Sequence, residues 1–427
     1  MANPIGAGVA GASGIGSDVD VDSLTSLEVS FDGIDQATQL ADFTVREVIL
    51  CESLLTPGLQ TSMHAHSYLH NLPKKFFDDM KGSGIKIKVT RPGLSQFGFP
   101  TTLDVDQTVY RLGGRSSTEA SGTDSRQMIS RAVEKLTFHA CDPTLLADAA
   151  TLVSKAWKCT TPSSIVSEVL AQCTGATRLN VEQAPPARDY IAENIHPFQV
   201  VSQQAQAALA GGNDPSFVHF MTYENKGTHH FRSLYAMTKQ APIIELEYSN
   251  AGKSFLLPTS IMNYTFPCDF DLLSDILNGV GADGSDINSL ALFNPANKLF
   301  SLLGSQARGC GIGSGVFKMS MSNQGSAEQQ NMCPDYVSQY MAKRQARMSL
   351  LEKDKIALRL TVPWNPIYNA GKVIRIRLRN DEDKTKQVEN YGSGDYLISA
   401  VLHNIRSGGF STITMDCVSV SAGVGIV

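Results

Sequence analysis

Two stretches near the end of the chain admit only one kind of backbone. Leu358, Leu360 and Val362 alternate with Arg359 and Thr361, and after Pro363-Trp364-Asn365-Pro366 the residues Ile374, Ile376 and Leu378 alternate with Arg375, Arg377 and Arg379. A period of two places the apolar side chains of each stretch on one face and the charged ones on the other, which only an extended strand can do. Each strand therefore has one buried face. The segment from Tyr396 to Ile405, the turn Ser407-Gly408-Gly409 and the segment from Phe410 to Val420 add a hairpin. This hairpin is expected to close a barrel with the region around Phe217.

Strands also dominate the front of the chain. Ile85-Lys86-Ile87-Lys88-Val89 alternates, and the run from Leu103 to Leu112 is rich in β-formers after the break at Pro100, so the region from about Leu27 to Tyr110 is read as antiparallel. Met128 to His139 fits helix and strand equally well. Between front and rear the period changes to that of a helix. Thr161 is an N-cap with Pro162 at the first helical position, and Ile165, Val166, Val169, Leu170 and Cys173 share one face up to Gly175. A second helix starts at Pro197 and stops at Gly211-Gly212, and with the stretch from Leu145 to Trp157 these make a small helical domain over 141–212. Strands resume from Phe217 to Tyr223, Phe231 to Tyr235 and Ile243 to Tyr248. The stretch 267–352 reads as an insertion, with an acidic loop, the glycine-rich run from Gly309 to Gly315, and an amphipathic helix from Asp335 to Leu351.

Charge is unevenly spread. Of 427 residues only 18% are charged and the net charge is −5, which argues against a general nucleic-acid binder. The first fifty residues hold eight acidic side chains, Asp18, Asp20 and Asp22 among them, against Arg46 alone. Residues 343–379 hold ten basic side chains against Glu352 and Asp354. That basic stretch offers only Trp364 and Tyr368 as stacking aromatics, so it is read as a protein interface facing an acidic partner. Arg375, Arg377 and Arg379 share a strand face turned to a protein neighbour, with Asp18, Asp20 and Asp22 of another subunit as the matching charges. Trp364 is expected to pack against the barrel end or a neighbouring subunit. No apolar run reaches the roughly 18 to 20 residues of a membrane span. The eight cysteines are scattered without a CxxC pair and are read as reduced thiols.

Catalytic and metal chemistry find little support. Asp18, Asp20 and Asp22 imitate the opening of a calcium loop, but Ser23 and Val29 stand where the glycine and the bidentate glutamate belong. His64 and His66 share a strand face and His229 and His230 are adjacent, yet HExxH spacing is absent, so surface or interface histidines are expected. Gly309 to Gly315 follows no hydrophobic parallel strand and is a loop or hinge, and no GxSxG elbow or phosphate loop occurs. Paired carboxylates of a glycosidase have no positive support. No catalytic, cofactor or metal residue is assigned.

Leu358-Arg359-Leu360-Thr361-Val362-Pro363-Trp364-Asn365-Pro366, Ala370-Gly371-Lys372-Val373-Ile374, Gly392-Ser393-Gly394-Asp395-Tyr396-Leu397-Ile398 and Gly408-Gly409-Phe410-Ser411-Thr412 together resemble the C-terminal barrel of the baseplate central hub proteins of contractile-tailed bacteriophages. Those hubs are relatives of late control protein D and of the spike of type VI secretion. Arg188-Asp189-Tyr190, His196-Pro197-Phe198, Pro215-Ser216-Phe217 and the block from Thr222 to Ser233 are similar to such hubs as well, which extends the likeness to roughly half the chain. The resemblance implies a mainly β chain with α+β insertions and two antiparallel tube-like β-barrels. The domains would then be an acidic Gly/Ala-rich arm over 1–26, a first barrel over 27–140, the helical domain over 141–212, a second barrel over 213–266 and 353–427, and the insertion over 267–352. It also implies a homotrimer that joins the sixfold tail tube protein to the threefold central spike protein. Wedge and tape-measure proteins would be further neighbours, and DNA would pass through a channel without specific binding. Such a chain is a virion component, made in the host bacterial cytoplasm, with no catalytic residues. A peptidoglycan hydrolase and a receptor-binding tail component are the alternatives from other functional classes.

Overall fold

The protein is described from a computed structural model, which covers residues 24–33, 43–67, 74–118, 133–211, 214–248, 257–267, 344, 347–348, 351, 358–378 and 392–419. The front of the chain supplies β1 (Ser26–Phe31), β2 (Phe43–Ser53), β3 (Gln60–Ser67), α1 (Lys74–Met80), β4 (Gly84–Thr90), β5 (Thr102–Thr118) and β6 (Val133–Cys141). The middle supplies α2 (Pro143–Ala150), β7 (Val153–Thr160), α3 (Pro162–Cys173), β8 (Leu179–Val181), β9 (Arg188–Ile195), α4 (Pro197–Ala207), β10 (Phe217–Thr222), β11 (Thr228–Ser233) and α5 (Leu234–Thr238). The rear supplies β12 (Glu245–Tyr248), β13 (Asn263–Thr265), β14 (Leu358–Pro363), β15 (Val373–Leu378), β16 (Gly394–Arg406) and β17 (Thr412–Ser419). The fold is mainly β with helical insertions. Of the ambiguous stretch from Met128 to His139, the described part is strand β6, whose alternating buried residues Leu136, Phe138 and Ala140 enter the core, and 128–132 lie outside the described residues.

Front and rear strands form one twelve-stranded sheet in the order β1-β4-β5-β6-β3-β2-β16-β17-β14-β13, with β15 on β16 and β12 on β15. The joint is the antiparallel ladder of β2 on β16, seven residue pairs from Ser53 opposite Ala400 to Glu47 opposite Arg406. The front and rear β-bodies are thus joined edge to edge in one sheet. Front strand β2 uses its second edge to bind the rear half, so the two β-bodies share backbone hydrogen bonds as well as side chains. At the rear, the path β12-β15-β16-β17-β14-β13 comes back to within a single bridge of its start, Glu247 to Ser260. At the front, β4 is the partner of β1 and no described strand covers its other edge. One hydrophobic core follows the sheet across the joint, from Phe31, Val48 and Phe138 to Trp364, Ile376 and Ile413.

The middle segment is mixed rather than helical. Helix α3 begins as its sequence dictates, with the Thr161 side chain accepting from Ser164 N and Pro162 at the first turn, and it buries Ile165, Val166, Val169 and Leu170 against α4. The stretch from Leu145 to Trp157 divides into α2 and strand β7, which pairs antiparallel with β9. Lys155 and Trp157 on β7 reach Glu168 of α3, so an apparently helical pattern is completed as a strand laid on a helix. The hairpin β10–β11 does not join the rear sheet as expected. It takes β8 as a parallel third strand and packs its two faces on different cores, Phe217 and Phe231 against α3 and α4, Val218 and Phe220 against rear residues Val373 and Leu397. Cys51, Cys141, Cys173 and Cys417 are free thiols, while Cys159 is disulfide-bonded, against the expectation of eight reduced cysteines.

Candidate assembly surfaces and the buried seam

The line where front, middle and rear meet is organised by one carboxylate. Glu52, near the end of β2, is 3% exposed. One of its oxygens accepts from Tyr223 N at 2.6 Å and the other from Ala370 N at 2.8 Å. A single side chain thus satisfies backbone donors from the middle hairpin and from the rear loop, neither of which has a strand partner there. Burial pushes the Glu52 carboxyl up to about 8, opposed by the two N–H groups it accepts from. The Tyr223 hydroxyl donates to Gln60 O at 2.9 Å, and Lys372 lies 3.5 Å from Glu224 above the same junction. Beside it opens a cleft of about 910 Å³, walled by Phe99 and Asp104 from the front, Arg178 and Lys226 from the middle, and Ile367 and Lys372 from the rear.

The residues singled out from the sequence fall in different places. Trp364 is 0% exposed and belongs to the chain's own core, with its carbonyl accepting from Arg91 of the front half at 2.8 Å and its N–H donating to Ser411 O at 3.0 Å. Arg375 and Arg377 do lie on one face of β15, but their charges are met inside the chain. Arg375 forks onto Asp395 of β16 at 2.7 and 3.0 Å, and Arg377 lies 2.9 Å from Glu245 of β12. The remainder of the basic stretch behaves alike where it is described. Arg359 forks onto Asp416 at 2.6 and 3.0 Å, and Arg347, 1% exposed, pairs with Asp214. Arg344 donates to the carbonyls of Ala205, Pro215 and Phe217. The acids that neutralise this segment come from distant strands, which the local charge count does not register. Arg379, Asp18, Asp20 and Asp22 lie outside the described residues, as do the acidic and glycine-rich parts of the insertion.

The histidines divide into two groups. His229 and His230 on β11 are buried, as is His219 on β10, because this three-stranded sheet is covered on both faces; the expectation of surface histidines fails for the adjacent pair. His219 Nε2 and His229 Nδ1 are 3.2 Å apart, His229 Nε2 is 3.1 Å from Thr144 Oγ1, and His230 Nε2 is 2.9 Å from Thr222 Oγ1. Burial holds His229 down to about 4 and His230 to about 3, so both are neutral imidazoles at neutral pH. By contrast His64 and His66 stand half-buried on the solvent face of β3. Across the ladder, His64 Nδ1 is 3.2 Å from Thr137 Oγ1 and Ser62 Oγ is 3.0 Å from His139 Nδ1. His66 is lowered by burial and then by Arg46 and Lys135, and His139 by burial and then by Arg111, which marks this face as cationic. Among the described residues, no three His, Cys, Asp or Glu side chains are grouped to hold a metal ion, and no helix is long and apolar enough to cross a membrane.

The fold is shared with a tail protein from Neisseria meningitidis, at 11% identity over 93% of this chain and 97% of that one with a TM-score of 0.50. Two further solved structures align at lower scores. The 43 kDa tail protein of prophage MuSo2 from Shewanella oneidensis has 9% identity over 93% and 99% of the two chains with a TM-score of 0.49. A type VI secretion component of Escherichia coli, described as similar to the T4 tail proteins gp27 and gp5, has 8% identity over 94% and 79% with a TM-score of 0.46. No protein-family model and no curated protein sequence matches the chain.

Proposed function

We propose that this chain is a structural hub of a phage tail baseplate. In this reading it is a homotrimeric symmetry adaptor that joins the sixfold tail tube to the threefold central spike around a channel for DNA, without catalysis of its own. The observation that carries the reading is the β2–β16 ladder, which fixes two β-bodies side by side in one chain. Three such chains present six β-bodies to a sixfold neighbour and three chains to a threefold one. A fold shared with a tail protein over nearly the whole of both chains supports the same assignment. The wide internal pairing of charges suits a part that must be stiff under load, because fork-shaped Arg–carboxylate pairs across strands add directional bonds to the ladder. Location of the chain in a reconstruction of the assembled particle tests the proposal. Three copies around the axis, between tube and spike, are expected; six copies in one ring, or a position on a peripheral fibre, would refute it.

A further inference from the structure

A line of hydrogen bonds runs through the interior where α2 meets the hairpin β10–β11. Asp142, 6% exposed, caps α2, and its Oδ1 accepts from Thr144 N at 2.9 Å and from Thr144 Oγ1 at 2.5 Å. The line continues from Thr144 Oγ1 to His229 Nε2 at 3.1 Å and from His229 Nδ1 to His219 Nε2 at 3.2 Å. Its direction is set at one end, because an ionised carboxylate only accepts. Thr144 has one hydroxyl hydrogen and gives it to Asp142, with the Met221 sulfur at 3.8 Å as the weaker acceptor. The Thr144 oxygen then accepts from His229 Nε2–H. A neutral imidazole carries one N–H, so His229 Nδ1 is bare and accepts from His219 Nε2–H. That leaves a lone pair on His219 Nδ1, a buried atom without a hydrogen-bond partner among the described residues.

We propose that Asp142, Thr144, His229 and His219 form a proton relay that latches α2 to the hairpin, which the first proton reverses and the second opens. The first proton adds to the vacant Nδ1 of His219. His219 Nε2–H then passes to His229 Nδ1, His229 Nε2–H to Thr144 Oγ1, and the Thr144 hydroxyl hydrogen to Asp142 Oδ1. Every hydrogen bond of the line survives with donor and acceptor exchanged, one proton has been taken up, and the Asp142 carboxylate has become a neutral acid. Neither ring then keeps a vacant lone pair. A second proton has to break one of these bonds, and the charge it leaves sits beside Phe198 in an apolar core. The groups around the line act in both senses. Burial raises the Asp142 carboxyl, which favours reversal, and Arg178, just before β8, opposes it. Burial, then His229 and His230, hold His219 well below its ordinary value. On the other face of the sheet His230 lies near Arg232 and the rear Lys372, with Asn180 of β8 on its Nδ1, and on the α4 side Asp148 accepts from Phe198 N. The closed chain binds fewer protons than the open one, so the latch holds above about pH 6.5 and weakens as the pH falls toward the value of about 4 for His229. The relay is built into the single chain and stands apart from the assembly proposed above.

The test uses the full chain, labelled with nitrogen-15 in histidine and followed by nuclear magnetic resonance as the pH is lowered. His219→Phe and His229→Gln assign the two rings. At pH 7.5 the proton-bearing nitrogen should be Nε2 on both. On acidification both rings should change together to the Nδ1–H form, and only at lower pH should hydrogen exchange at β10 and β11 rise relative to β4 and β5, which carry no histidine. The order of these two events is read in the parent chain alone. Thr144→Val keeps the shape and the backbone N–H that Asp142 caps but breaks the line, so the joint change should be lost. Below about pH 6.5 the rise in exchange should be steeper in the parent than in His219→Phe by up to roughly tenfold per pH unit, since the open variant takes up one proton fewer. An Nδ1–H ring at pH 7.5, rings that keep Nε2–H throughout, an imidazolium in a hairpin that stays protected, a joint change that survives in Thr144→Val, or exchange that rises before the rings change would overturn the inference.

Discussion

His403 is the sharpest place to perturb this fold. It sits on β16 in the seam, 1% exposed, its ring set edge-on to Tyr223 at 6.3 Å, and neither ring nitrogen has a hydrogen-bond partner among the described residues. Replacing it by leucine removes a buried polar group that gains nothing from its surroundings, so the variant should be more stable than the parent by about 1 kcal/mol at neutral pH. The larger effect lies in acid. Burial holds His403 down to about 3, whereas in the unfolded chain it titrates at its ordinary 6.5. The folded state therefore requires the neutral ring, and its stability is intact above about pH 6.5 and lost as the pH falls from there toward 3. At pH 5 the unfolded form gains a proton over ~1.5 pH units, worth about 2 kcal/mol at 1.36 kcal/mol per unit. Urea unfolding at pH 7.5 and at pH 5, parent against His403→Leu, reads both terms. The expected advantage of the variant is about 1 kcal/mol at the higher pH and about 3 kcal/mol at the lower. An advantage that does not grow on acidification would refute the reasoning, because it would mean that the ring is reached by water or by a proton acceptor in the folded chain.

Three further substitutions test other parts of the account. Asp214→Ala removes the carboxylate paired with the buried Arg347 guanidinium and should cost about 3 to 5 kcal/mol in urea unfolding, whereas Asp214→Leu/Arg347→Met should cost much less. Trp364→Ala empties the junction of front and rear cores and should cost about 3 to 5 kcal/mol; an unchanged melting temperature would exclude its place there. Glu52→Ala leaves the N–H groups of Tyr223 and Ala370 without an acceptor, about 1 to 3 kcal/mol for each, and hydrogen exchange at those two amides should rise first.

What the sequence displays and what it conceals differ by range. The strand alternation of residues 358–378 and the cap of α3 at Thr161 were legible because both patterns are written within one turn or one pleat. The fate of the basic stretch was not. Asp395, Asp416, Glu245 and Asp214 meet their arginines only after strands far apart in the chain have paired, and a local count of charge sees ten cations and two anions. The burial of His229 and His230 was hidden for a related reason. Strand β8, which covers one edge of β11, is three residues long and has no alternation to announce it. The joint between the half-sheets was likewise illegible, since the alternation of β2 fixes which face is buried but not which strand takes its free edge. Fold class was therefore open to reading, while the matched charges and the seam depended on pairings of long range.

The β2–β16 ladder also sets a timetable for synthesis. Glu47 and Arg406, which meet at one end of it, are 359 residues apart. At roughly 5 to 20 residues per second, the ribosome leaves the edge of β2 waiting some tens of seconds for its partner. Throughout that interval the nascent front half exposes an unpaired hydrogen-bonding edge and the open side of Val48 and Leu50. Closing so distant a contact is slow in its own right. The joint is thus a late event of folding, sealed by the next-to-last of the described strands.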